Sequence, residues 1–276
     1  MKWIMTLSFA LFAIYILLGI VLYVAQRQLI YLPQPYTQTL YPELTLTIDG
    51  NDINVLCLNT DEQCNPLGNR AILYFGGNAE PVVNSASLLQ QLLLKDTAVY
   101  LMNYRGYGTS QGKPSETVMT RDAVTVYDAI VNLLNTQANA STVQTSLNFE
   151  KVRIDVIGRS IGTGVACALA SQRDVHKLAL ITPFDSLQAV AQAKFPIYPL
   201  AWLLKDTFRS DERASQIDSD TLLLVAGNDQ LIPPKHASQL QSAFTQPVRS
   251  ELIANATHND IMTYPNAQQH LKAFLQ

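Results

Sequence analysis

From Trp3 to Gln26 the chain runs through 24 residues without a charge, most of them Ile, Leu, Phe, Val and Ala. At the helical rise such a run reaches about 35 Å, enough to cross a hydrocarbon core of about 30 Å. It is longer than the apolar part of a secretory signal, and no small-x-small cleavage site precedes Arg27. Residues 4–26 are therefore expected to be an uncleaved transmembrane signal-anchor, with Trp3, Tyr23 and Tyr31 at interfacial depth. Residues 27–43, Pro-broken from Tyr31 to Tyr41, form a connector.

The pattern then changes period. Leu44–Ile48 alternates, turns at Asp49-Gly50 and resumes over Ile53–Leu58, the signature of a hairpin. Short continuous apolar runs follow at Ala71–Phe75, Thr97–Met102, Val152–Ile157, Lys177–Ile181, Thr221–Ala226 and Arg249–Ile253. Between them lie helical spacings at 80–94, Thr117–Leu134, Gly162–Ser171, a stretch beginning after Pro233-Pro234, and Tyr264–Leu275. Asn135–Asn148, rich in Asn, Thr, Gln and Ser, reads as a surface loop. Strands alternating with helices predict a three-layer α/β fold with a mostly parallel central sheet over 44–276, preceded by one N-terminal transmembrane helix. Because the sheet starts only near Leu44, removal of residues 1–26 is expected to leave a folded domain.

Composition narrows the chemistry. A net charge of −3 over 276 residues, with no Lys/Arg cluster, gives no electrostatic case for nucleic acid. Three cysteines without a Cys-x-x-Cys pair give no metal or redox motif, and no cofactor or metal is expected. Cys57 and Cys64 either pair in an oxidising compartment or remain two thiols, and Cys167 reads as a core residue.

The candidate chemistry centres on Gly158-Arg159-Ser160-Ile161-Gly162. Gly-x-Ser-x-Gly alone arises by chance in roughly one chain in ten of this length. Here a strand precedes it and a small-residue helix follows, the strand–turn–helix context of a nucleophile elbow. A serine hydroxyl is a poor nucleophile until an imidazole takes its proton and a carboxylate orients that imidazole. Of the four histidines, His176 precedes its strand, at the wrong sheet edge, whereas His236 and His270 fall on helices and are expected at the surface. His258 alone follows the last strand in a loop. Asp229, just after the strand Thr221–Ala226, is the leading acid, with Asp185 and Asp260 as rivals. Ser160, Asp229 and His258 then stand in the order nucleophile, acid, base. Ile161 N–H and a donor at Asn78, after the strand Ala71–Phe75, are the candidate oxyanion hole.

These segments together resemble a known family. Gln26-Arg27 with Tyr31-x-Pro33, Phe75-Gly76-Gly77-Asn78-Ala79, Asn103-Tyr104-Arg105-Gly106-Tyr107-Gly108, the Ser160 elbow, Leu203-Leu204-Lys205-Asp206-x-Phe208, Gly227-x-Asp229-x-x-Ile232-Pro233 and His258-Asn259-Asp260 carry the likeness. The chain resembles the membrane-anchored serine-hydrolase branch of the α/β-hydrolase superfamily, which includes acyl-protein depalmitoylases. The resemblance implies the Ser160/Asp229/His258 triad and the Asn78/Ile161 hole. The chain departs from it at Gly76 and Asn103, where members commonly carry His and Asp.

Residues 189–208, rich in aromatic and branched side chains, are expected to form a small cap, with Phe195, Tyr198, Trp202 and Phe208 lining an acyl site. Lys205 and Asp206 are read as a local ion pair or cap. The leading reading is a serine hydrolase acting on a small acyl ester, thioester or lipid-like substrate. A membrane-tethered non-hydrolytic scaffold and a serine peptidase or amidase are the alternatives. Lys2 on one side of the anchor, against only Arg27 before Arg70 on the other, orients the domain towards a bacterial periplasm.

Overall fold

In β3 (Arg70–Phe75), Ala71, Leu73 and Phe75 join one hydrophobic cluster while Ile72 and Tyr74 join another. This is the two-residue period of a strand buried on both faces. The first cluster is closed by α3 (Glu116–Ser141), α4 (Ile161–Ala170) and α8 (Pro234–Ala243), which contribute Met119, Val126, Val165 and Leu240. The second is closed by α2 (Val83–Leu92) and α9 (Pro265–Leu275) through Ala86, Leu89, Leu271 and Leu275. The result is a three-layer α/β fold. The computed structural model describes residues 2–36, 39–92, 96–141 and 152–276.

The other strands are β1 (Glu43–Ile48), β2 (Asn51–Leu58), β4 (Ala98–Met102), β5 (Arg153–Arg159), β6 (Lys177–Ile181), β7 (Asp220–Ala226) and β8 (Val248–Ile253). They form an eight-stranded sheet in the order β1-β2-β4-β3-β5-β6-β7-β8. Only the β1–β2 and β2–β4 pairings are antiparallel. Asp49 and Gly50 both take positive φ, 48° and 71°, as a two-residue hairpin turn requires.

Helix α3 continues to Ser141, beyond the expected end at Leu134. Asn and Thr cost a growing helix only about 0.7 kcal/mol each, too little to stop one already nucleated on a buried face. The rest of the expected loop, and the expected end of α2 at Leu94, lie outside the described residues. Cys57 and Cys64 are joined as a disulfide, with Cα atoms 5.6 Å apart. Burial pushes the Cys167 thiol up to about 12, so it carries no thiolate near neutral pH.

Helix α1 spans Lys2–Ile30, four residues past the expected end of the anchor, and is long and apolar enough to cross a membrane. Its C-terminal half packs on α5 (Leu187–Lys194), α6 (Leu200–Leu203) and their linker, within the stretch expected to form a cap. Tyr15 stacks on Tyr198 with ring centroids 4.8 Å apart and donates its hydroxyl to Ile197 O at 2.8 Å. Gln26 donates to Leu203 O at 3.2 Å and accepts from Lys205 N at 2.7 Å. Asp206 pairs with Arg27 through contacts of 2.9 and 3.1 Å, and the Lys205 ammonium lies 4.3 Å from the Tyr23 ring centroid. Lys205 and Asp206 therefore each bind α1, not one another as the sequence reading expected.

Candidate active site

The turn from β5 into α4 packs this closely because glycine stands on both sides of Ser160. A Cβ on Gly158 would lie 2.6 Å from Gly162 O, and one on Gly162 only 2.2 Å from Phe75 O. Ser160 itself sits at φ 51°, ψ −120°, a region L-residues seldom occupy and that costs on the order of 1–3 kcal/mol. A neighbouring strand and the following helix hold the strain: Ser160 N donates to Ile181 O at 2.9 Å, and Thr163 Oγ donates to Ser160 O at 2.6 Å. The side chain consequently projects past the C-terminal edge of the sheet.

His258, after β8, reaches Ser160 Oγ with Nε2 at 2.8 Å and Asp229 Oδ2 with Nδ1 at 2.7 Å. A carboxylate only accepts, so Nδ1 carries the hydrogen and Nε2 is left to accept from the serine hydroxyl. The other Asp229 oxygen accepts from the backbone N–H groups of Leu231 at 2.9 Å and Ile232 at 2.7 Å. All three side chains are buried. Asp185 does not approach His258. It bonds His236 Nδ1 at 2.7 Å, and His236, expected at the surface, is buried with its Nε2 unpartnered. The place of His236 on a helix did not reveal that α7 (Ser210–Ala214) packs against α4 and α8, with Phe184, Phe208 and Ala214 in the same cluster. Asp260 accepts from Thr257 N at 2.7 Å and so shapes the loop carrying His258. His176 bonds Asp155 near the start of β5, at the sheet edge remote from Ser160.

The loop after β3 lies beside the elbow; a Cβ on Gly77 would sit 3.6 Å from Ser160 Cβ. Asn78 is fixed from several directions. Its Nδ2 donates to Ile30 O, and its Oδ1 accepts from Leu32 N at 2.9 Å and from Tyr107 Oη at 2.7 Å. Desolvation by burial pushes the Tyr107 phenol up to about 12, so it remains a donor. Tyr104, raised for the same reason, donates to Gly76 O at 2.9 Å. Ile161 opens α4, where the first N–H groups lack intrahelical acceptors, so its N–H is available at the serine.

An apolar cavity of ≈ 470 Å³ opens on Ser160, Ile161 and Asn78 and extends between the cap and α1. Of the four expected pocket residues, Phe195 and Tyr198 line it. Trp202 and Phe208 do not. Trp202 is 86% exposed on the outside of α6, where the four-residue helix turns it away from the cavity. Phe208 is fully buried under α4, so close that a Cβ on Gly164 would meet its ring at 2.7 Å. Among the described residues no group of three or more His, Cys, Asp or Glu is placed to hold a metal ion.

No family model matches the chain. An uncharacterized protein of Mycobacterium tuberculosis is 32% identical over 190 residues, which span 69% of this chain and 63%, less than two thirds, of that protein. Alpha/beta hydrolase domain-containing protein 17B of Homo sapiens is 25% identical over 233 residues, 84% of this chain and 74% of the relative. Among solved structures, the Pyrococcus furiosus esterase Pf2001 superposes with a TM-score of 0.62 at 16% identity, covering 89% of this chain and 97% of that one. The chain shares the fold of that esterase and is similar in sequence to an alpha/beta hydrolase domain-containing protein.

Two parts of this candidate site escaped the sequence reading. Glu80 accepts from Gly77 N at 2.7 Å and from Arg159 at 3.4 Å, and Arg159 donates to Asn259 O at 3.0 Å. One ion pair thus ties together the loop after β3, the elbow and the loop carrying His258. No motif marks Glu80, because its role depends on long-range proximity. The second part is α1, which supplies Gly19, Leu22, Tyr23, Gln26, Leu29 and Ile30 to the cavity wall. Gly19 and Gln26 were the available signal: a small and a polar residue on one face of an otherwise aliphatic helix.

Proposed function

We propose that the protein is a membrane-tethered serine hydrolase that cleaves an acyl ester or thioester through an acyl-enzyme intermediate. The observation that carries this reading is the Ser160–His258–Asp229 relay, at 2.8 and 2.7 Å, placed at the end of an apolar cavity. The α/β-hydrolase frame, its relatives' hydrolase names and the resemblance to depalmitoylases support it. Ser160 Oγ forms a bond to the acyl carbon while its proton passes to His258 Nε2. The oxyanion is held by the N–H groups of Ile161 and Asn78, each worth on the order of 10²–10³ in rate. Collapse breaks the bond to the leaving alcohol or thiol, which takes the proton from His258. Water then attacks the acyl-serine and gives its proton to His258. A second collapse releases the carboxylic acid and returns that proton to Ser160.

The Asp229 charge stabilises the imidazolium in both halves. The anchor is α1, and the domain lies outside the cytoplasm, a placement supported by Lys2 at the N-terminus and by the Cys57–Cys64 disulfide. The test is kcat/KM on a short p-nitrophenyl ester and its anilide counterpart, with fluorophosphonate labelling of the same protein. Ser160→Ala and His258→Ala should each lose about 10⁶ in kcat, and the double variant little more. Asp229→Asn should lose about 10⁴. Label at Ser160 with faster anilide than ester turnover makes it an amidase, whereas an unlabelled Ser160 with full activity in Ser160→Ala ends the serine mechanism.

A further inference from the structure

The cavity has an unusual wall. Gly19, Leu22, Tyr23, Gln26 and Ile30 recur at helical spacing and form one stripe of α1 facing the cap. Ile30 meets the reacting end, since its carbonyl accepts from Asn78, and Gly19 meets the far end, where its Cβ position lies 3.1 Å from the Tyr198 ring. The stripe is about 16 Å long. Single carbon–carbon bonds in trans advance about 1.25 Å each, so it matches an extended chain of about a dozen carbons.

The depth of this wall follows from helix length. Trp3 to Tyr23 spans about 30 Å, one hydrocarbon core, and charge begins immediately beyond, with Arg27 on Asp206 and Lys205 over Tyr23. The Tyr15–Tyr198 stack then lies about 12 Å inside that boundary. The outer surface of the cap agrees with immersion: Ile197 and Trp202 are 67% and 86% exposed. Such a cluster is costly in water and favourable in hydrocarbon.

We propose that α1 is both the anchor and one wall of an acyl channel, which takes the chain of a bilayer-resident ester sideways from the membrane. This rests on the tethered serine-hydrolase reading and adds the route and the gauge of chain length. Leu22, about 12 Å along the stripe from Ile30, limits the chain. Leu18, 48% exposed and outside the cavity, does not.

The test uses the full chain in phospholipid vesicles, with p-nitrophenyl dodecanoate and butyrate as substrates. Leu22→Trp should lower the dodecanoate-to-butyrate ratio of kcat/KM at least about tenfold, as a blocked hydrophobic subsite does, while Leu18→Trp keeps the wild-type ratio. Because the ratio is internal, a loss of folded protein does not mimic the effect. In the Trp3→Phe protein, Trp202 emission should be quenched by lipids brominated along their acyl chains. Ser160-dependent hydrolysis with a ratio that neither variant changes, or that both change equally, overturns the channel alone, as does unquenched Trp202. No Ser160-dependent hydrolysis of either ester overturns the hydrolase reading, and the channel with it.

Discussion

Gly162→Ala puts a methyl group 2.2 Å from Phe75 O and 2.7 Å from Gly76 O, both backbone atoms. Ordinary contact needs about 3.5 Å, so α4 must retreat from β3 by about 1 Å. No rotamer relieves the clash, and the strand behind it is paired on both sides. Overpacking of this kind costs about 1–3 kcal/mol, offset by up to about 1 kcal/mol from replacing glycine in a helix. Stability should therefore fall modestly, by about 0–3 kcal/mol in a urea midpoint experiment. Activity should fall much further. The retreat carries the Ile161 N–H and Ser160 away from the Asn78 loop, and a misplacement of about 1 Å costs on the order of 10²-fold. kcat/KM on a short p-nitrophenyl ester, beside the urea midpoint, separates the two effects. Wild-type turnover in Gly162→Ala would refute the close packing of α4 on β3 as the device that aligns the hole.

Other expectations follow from neighbouring features. Asp185→Asn should leave kcat within about threefold of wild type, because Asp185 serves His236 and not His258. Asp185→Ala strands both nitrogens of a buried ring and should cost about 1–3 kcal/mol, read as a fall of about 2–4 °C in Tm per kcal/mol. A larger kinetic loss at Asp185 than at Asp229 would move the acid to the end of β6. Alkaline phosphatase fused after Gln276 should be active if the domain faces the periplasm, and activity from a cytoplasm-only reporter at that position would reverse the orientation.

The sheet was legible because each parallel strand, buried on both faces, reads as an uninterrupted apolar run, and the ends of β6 and β7 fall within a residue of expectation. Ser160, Asp229 and His258 could be singled out because each follows a strand, and the C-terminal edge of a parallel sheet gathers such residues. The pocket was less legible. Composition marked 189–208 as aromatic, yet which of Phe195, Tyr198, Trp202 and Phe208 faces inward depends on a four-residue helix with little periodicity. Hydropathy reads helix α1 as an anchor and is blind to a stripe that touches protein. Removing residues 1–26 would thus strip the cavity of Gly19, Leu22, Tyr23 and Gln26, even where the sheet still folds.

The Asp229 carboxylate has a consequence for how this protein could change its diet. One oxygen orients the imidazole, and the other clasps the amides of Leu231 and Ile232, whose side chains line the cavity. Reshaping the pocket at 231 or 232 therefore pulls on the acid, and a gain in fit is charged against proton transfer. The α1 stripe and α5 carry no such linkage to the triad through Asp229. Drift in substrate range, natural or engineered, should accumulate on those two helices while the turn after β7 stays still.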